Sequence, residues 1–250
     1  MSRKGIVKRL AEALFGIEAA ISARWVSSAH RRLMAAQWYL KPQPKHFDHH
    51  IDLFHQWLKS RNPMWVERGV FSLLALKGGD VLELACGDGF NARNFYSLAS
   101  NRVVGCDLDP DVIATAIRKN SAENIEYVVA DMRIAMPEGR FDNVVWDFAF
   151  PLLEYFTLDE INGILQQIKL RLGTDGILSG YTMAENDEGI IPSQRRFCSA
   201  GDLQNFLAAH FVHVTVFETF SAGRHNLYFW ASDGILPFMP GWLPARTPKI

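Results

Sequence analysis

Four acidic residues and a pair of glycines carry the chemistry in this chain. Gly87 and Gly89 stand in Val81-Leu-Glu83-Leu-Ala85-Cys-Gly87-Asp88-Gly89, where a short apolar run gives way to a helical one. Residues without a Cβ at such a turn let a ligand approach backbone N–H groups beside a helix start. Asp107 closes the next apolar run, 18 residues after Gly89, about where a carboxylate can take two ribose hydroxyls. Asp131 and Asp147 close two further runs. In open α/β sheets ligands sit beyond the carboxyl ends of the strands, and all these residues fall there.

The ligand type follows from charge. Ala92 completes a G-x-G-x-x-A spacing from Gly87, as a dinucleotide site requires. Glu83 and Asp88, however, would repel a pyrophosphate, and carboxylates suit an ammonium group. No GK[ST] follows the glycines, which excludes a P-loop. A cationic or zwitterionic adenosyl ligand fits best.

The elements that position these residues alternate. Apolar strands are expected at 80–85, 102–107, 125–129, 143–147 and 176–182, each bounded by turn residues. Helices are expected at Asn91–Ala99, from Asp109-Pro110 to about Lys119, from the Thr157-x-x-Glu160 capping box to about Leu172 with Gly173 as its stop, and from Ser199 to Ala209. Such alternation specifies a parallel sheet covered by helices. Runs at 211–218 and 225–231 lack an intervening helix and should pair antiparallel at one edge.

The ordered series E-L-A-C-G-D-G, V-V-G-C-D-L-D-P, V-V-A-D-M and F-D-N-V-V-W-D resembles that of class I S-adenosylmethionine-dependent methyltransferases. The resemblance covers roughly residues 62–232. It implies an α/β, Rossmann-like seven-stranded, mostly parallel sheet with an antiparallel edge hairpin, and S-adenosyl-L-methionine as cofactor. It implies that Glu83, Gly87 and Gly89, with Ala85 in the same loop, hold the methionine part. Asp107 would take the ribose, with Leu108 against the adenine. Asp131 would accept from the adenine amino group, with Met132 beside it, and Asp147 and Phe148 would line the floor near the sulfonium. Arg68, in a cover segment before the sheet, could meet the methionine carboxylate.

Methyl transfer is an in-line displacement, so the protein mainly positions the acceptor and excludes water. Glu154 and Tyr155, after the fourth strand, are the candidate catalytic groups, with Tyr181 behind them; Arg195-Arg196 could pair with an anionic acceptor. The segment lacks the Asn/Asp-Pro-Pro-Tyr/Phe pattern of methyltransferases acting on adenine or glutamine. A small-molecule or glycan acceptor, methylated on oxygen or nitrogen, is expected. Alternatives are a related aminopropyltransferase, for which the segment offers few acids, and a non-catalytic adenosyl-binding or scaffold subunit.

Outside 62–232 lie a helical N-terminal extension (1–61) and a proline-rich tail (233–250). The overall charge of −1 conceals an asymmetry: nine Lys/Arg against two Glu through Lys45 give +7, leaving −8 for the rest. Ile6, Leu10, Leu14, Ile17, Ile21 and Trp25 form one helical stripe. That helix could dock on the domain, form a homodimer or rest on an anionic membrane. The acidic body disfavours nucleic acid. His46 and His50 are spaced as a metal pair, but nothing identifies further ligands, so no metal is expected. Three scattered cysteines, no cleavable apolar leader and no apolar stretch near the ~20 residues of a spanning helix point to a cytoplasmic protein, with membrane association through the N-terminal helix left open.

Overall fold

The structure, a computed structural model, describes residues 64–147, 156–184, 197–221 and 224–242. The helices expected over 1–61, Phe148, Glu154, Tyr155 and Arg195-Arg196 lie outside the described residues. In chain order the elements are α1 (Met64–Leu73), β1 (Asp80–Leu84), α2 (Phe90–Asn94), a 3-10 turn (Tyr96–Leu98), β2 (Arg102–Asp107), α3 (Pro110–Asn120), β3 (Ile125–Val129) and β4 (Phe141–Asp147). There follow α4 (Leu158–Arg171), β5 (Leu172–Met183), α5 (Ala200–Ala208), β6 (His213–Ser221) and β7 (Arg224–Ser232).

The seven strands form one sheet in the order β3-β2-β1-β4-β5-β7-β6. The first five are parallel, while β7 runs antiparallel to both β5 and β6. Strand order therefore reverses at β1, whose neighbours β2 and β4 lead away in opposite directions. That reversal opens the crevice where this architecture takes ligands.

The two faces of the sheet are filled differently. Leu82, Leu84, Val104, Val144, Trp146, Leu178 and Phe229 point to one face, against Ile161, Ile164, Leu165 and Ile168 of α4 and Leu203 and Leu207 of α5. The α4 residues follow the i, i+3, i+4, i+7 spacing of a single helical stripe. Its start is fixed as the sequence indicates: Thr157 Oγ1 accepts from Glu160 N–H at 3.2 Å, and Glu160 Oε2 accepts from Thr157 N–H at 2.7 Å. On the opposite face Val81, Val103 and Val145 pack with Leu76, Ala92 and Tyr96. Ala92, the third small position of the glycine motif, is wholly buried there and serves packing.

Three boundaries differ from expectation. The helix expected over 91–99 ends at Asn94, because Phe95 turns its ring beneath Gly69 of α1. A Cβ on Gly69 would lie 2.2 Å from that ring, so the contact exists only with glycine. Gly173 does follow the α4 cap Leu172, but not in a left-handed turn: α4 passes directly into β5 at Leu172, and the left-handed residue is Asp175, φ 58°. Pairing slips there, from Phe141↔Leu172 to Asn143↔Ile177, a bulge that gives β5 more residues than its neighbour. The edge hairpin also starts two residues later than expected and runs longer, to Ser221 and Ser232.

The beginning of the tail belongs to the fold. Leu236 is buried with Ala75, Ile177 and Trp230, and Met239 and Trp242 pack on the same cluster.

Candidate functional site

The turn after β1 is built from left-handed residues. Ala85, Gly87 and Gly89 have φ of 53°, 56° and 77°. The first is strained for an alanine, and glycine relieves the other two. Their environments differ. A Cβ on Gly89 would lie 2.2 Å from the Tyr127 hydroxyl, whereas one on Gly87 would have nothing within 4 Å. Gly89 is therefore small for the protein's own packing, and Gly87 leaves the turn open to a ligand.

Neighbouring elements clamp this turn. Gly89 N–H donates to Cys86 O at 3.0 Å, and Cys86 N–H to Cys106 O of β2 at 2.9 Å. Asn120 Nδ2 donates to Asp88 O at 2.7 Å, and the Tyr127 hydroxyl lies 2.9 Å from Asn120 O and 3.3 Å from Gly89 O. The sequence reading did not find Asn120 and Tyr127; no motif marks them. Asp88 turns inward and accepts from Phe90 N–H at 3.2 Å. Its side chain thus bonds within its own turn. With α2 only five residues long, side-chain charge rather than a helix dipole defines the rim.

Asp107, at the end of β2, is buried, and both of its oxygens are used. Gly87 N–H donates to Oδ2 at 3.2 Å and Asp109 N–H to Oδ1 at 3.0 Å. Burial raises its pKa, partly offset by the N–H groups of Asp109, Gly87 and Leu108. A carboxylate has about four lone-pair sites, so it can hold the turn and still accept from a hydroxyl.

Alternation along the strands places Glu83 and Asp147 on the same face as Asp107. Glu83 is 4% exposed, and its Oε2 has no hydrogen-bond partner. Burial, then the charges of Asp147 and Asp88, push it well above the usual carboxylate range. Asp147 is raised to about 6 by burial, opposed by the Arg68 guanidinium, and its Oδ1 is likewise buried without a partner. Isolated polar atoms of this kind are costly, which marks a site rather than a core.

Arg68 comes to this crevice on α1, which is pinned at both ends. Asn143 of β4 accepts from Lys77 N–H at 3.0 Å and donates to Ala75 O at 2.8 Å, just beyond the helix. Near its start, Glu67 Oε2 accepts from Tyr228 at 2.7 Å and Thr219 at 3.0 Å. The Arg68 guanidinium lies 4.2 Å from the centre of the Tyr181 ring. Tyr181 itself is fully buried and donates to Asn226 Oδ1 at 3.0 Å. It serves as a platform for Arg68, not as a base. The support from Glu67, Thr219, Asn226 and Tyr228 was invisible in the sequence, because those residues meet only when the hairpin closes on α1.

Asp131 stands apart. Arg133 grips it, with Nε 2.9 Å and backbone N–H 3.0 Å from Oδ1, although Ala130 N–H still ties this turn to Asp107 O. Met132 packs on the apolar core and Leu108 is partly buried. The structure thus gathers Arg68, Glu83, Ala85, Gly87, Gly89, Asp107 and Asp147 around one crevice, with Asp131 at its far margin. Among the described residues no His/Cys/Asp/Glu group could hold a metal, and no helix is long and apolar enough to cross a membrane.

A methyltransferase-domain family pattern matches residues 81–176, the segment that holds the glycine turn and all four acids. That segment is similar to a methyltransferase domain. Among solved structures, DhpI in complex with SAH aligns with a TM-score of 0.54 at 16% identity, covering 82% of this chain and 94% of that one. The N-methyltransferase NodS from Bradyrhizobium japonicum WM9 aligns with 0.55 at 18% identity, covering 70% and 90%. These likenesses concern the fold. In sequence, 81 residues are 37% identical to the ribosomal protein L11 methyltransferase of Burkholderia orbicola (strain MC0-3). That match takes in 32% of this chain and spans a quarter of the curated relative's length.

Proposed function

We propose that the protein is an S-adenosylmethionine-dependent methyltransferase acting on a small-molecule or glycan acceptor, at oxygen or nitrogen. The observation that carries this reading is the row Asp107, Glu83 and Asp147 beside the open Gly87 turn, where strand order reverses. When bound, the cofactor would supply a sulfonium methyl that an acceptor attacks, the sulfur leaving as a thioether. Asp107 accepts the ribose hydroxyls while holding Gly87 N–H. Glu83 and Asp147 offer their unpartnered oxygens to the cationic part of the ligand, and Arg68 faces its carboxylate. Asp131 and Met132 border the adenine, with Asp131 shared between that base and Arg133. Phe148 completes the floor, and Glu154 and Tyr155 take the acceptor's proton. The amphipathic N-terminal segment provides docking to a second copy or to a membrane surface.

A protein acceptor is the second reading, favoured by the ribosomal protein L11 methyltransferase match. A homocysteine-release assay over small metabolites, glycans and purified ribosomal protein L11 decides between them. Turnover with a metabolite or glycan supports the first reading, and turnover with the ribosomal protein alone replaces it. No turnover by wild type with any acceptor, together with no affinity for S-adenosylmethionine, removes the proposal.

A further inference from the structure

Glu83 and Asp147 share an arrangement that cofactor positioning alone does not require. They lie at the carboxyl ends of adjacent strands, on one face, and each buries an oxygen that no donor reaches. Glu83 receives Ala92 N–H, and Asp147 is offset by Arg68. Among the described residues, the groups facing the pair come from several elements. From the turn and β2 these are Asp88, Cys86 and Asp107; from α1, Arg68; from the 3-10 turn, the Tyr96 hydroxyl. Tyr127 of β3 feels Glu83, while Tyr181 and Tyr228 of β5 and β7 stand behind Arg68. Of these groups Arg68 alone is a permanent cation. Asp107 and Asp88 have backbone N–H donors to support their charge, so the deficit falls on the pair.

Building on the cofactor reading above, we infer that Glu83 and Asp147 act together as a charge-reading pair, sharing one proton in the free protein and releasing it to solvent when a cation enters. Two ionised carboxylates buried at adjacent strand ends, with the Arg68 cation offsetting Asp147, repel each other; one proton relieves the conflict. A ligand carrying an ammonium and a sulfonium supplies the missing positive charge and makes the proton unnecessary. The thioether product lacks the sulfonium and brings one positive charge fewer. The pair therefore favours cofactor over product, and this preference strengthens as pH rises. Burial raises both carboxyls, which favours the shared proton.

Calorimetric titration of the full chain with S-adenosylmethionine and with S-adenosylhomocysteine, at pH 6, 7 and 8 in phosphate and in Tris, counts the protons exchanged. At pH 7 the sulfonium ligand should release a substantial fraction of about one proton, and the thioether clearly less. The ratio of their dissociation constants should widen with pH, by at most about tenfold per unit for one linked proton. Glu83→Gln and, independently, Asp147→Asn should each remove most of the release while retaining measurable binding. Tight binding by wild type with no net proton exchange, or with equal exchange for both ligands, overturns the inference and leaves the cofactor reading intact. No binding of either ligand at any pH overturns both.

Discussion

The two faces of this sheet come from the same strands and answer to different demands. On the α4/α5 face, Leu82, Leu84, Val144, Trp146, Leu178 and Phe229 are buried to 1% exposure or less, against apolar partners. On the other face, every second position on the same strands is apolar low down and polar at the carboxyl end. Val103 gives way to Asp107, Val81 to Glu83, and Val145 to Asp147. One face is built to exclude water and the other to hold charge at the price of unpartnered oxygens. Stability and binding should therefore be separable by face.

The comparison breaks if substitutions on the apolar face impair binding in proportion. Leu165→Ala removes a fully buried side chain and should cost about 2–5 kcal/mol in chemical denaturation, with cofactor affinity per folded molecule unchanged. Gly89→Ala tests the polar rim. A Cβ at φ 77° pressed on Tyr127 should cost about 2–3 kcal/mol and weaken binding as the turn shifts. Gly87→Ala, also at positive φ but in open space, should cost less stability by calorimetry and yet lose affinity.

Smaller effects sharpen the contrast. Asp147 titrates higher in the folded chain, about 6, than when unfolded. The folded state thus holds its proton more tightly, and the associated stability is full below the unfolded pKa and lost as pH rises through about 6. Asp147→Asn should raise the melting temperature at pH 8, by about 1–2 kcal/mol equivalent, and flatten its decline between pH 5 and 8. An unchanged pH profile would show that its burial carries no electrostatic cost. On the apolar side, Thr157→Ala should cost about 1 kcal/mol by loss of the α4 capping box, with no effect on ligand.

Local rules made much of this legible. The five parallel strands follow from apolar runs between turn residues. The α3 start follows from Asp109-Pro110, where Asp109 indeed accepts from Asp111 N–H at 2.9 Å. The α4 start follows from Thr157 and Glu160. What stayed hidden depends on contacts distant in sequence. The break after Asn94 requires Gly69 to meet Phe95, and the bulge in β5 shows only in its pairing with β4. At the site, acids at strand ends were readable from position alone. The Tyr127 clamp, the Tyr181 platform under Arg68 and the Glu67–Tyr228 bond to α1 were not, because each joins elements from opposite parts of the chain. The grip of Arg133 on Asp131 is local, two residues apart, but leaves no pattern in sequence.

Equilibrium dialysis of radiolabelled S-adenosylmethionine against wild type, Asp107→Ala and Leu165→Ala weighs the two faces in one experiment. The account predicts saturable binding by wild type, the same affinity for the folded fraction of Leu165→Ala, and at least tenfold weaker binding by Asp107→Ala. That figure corresponds to the loss of about one charged hydrogen-bond acceptor. Full affinity in Asp107→Ala, or no saturable binding by wild type, would contradict it.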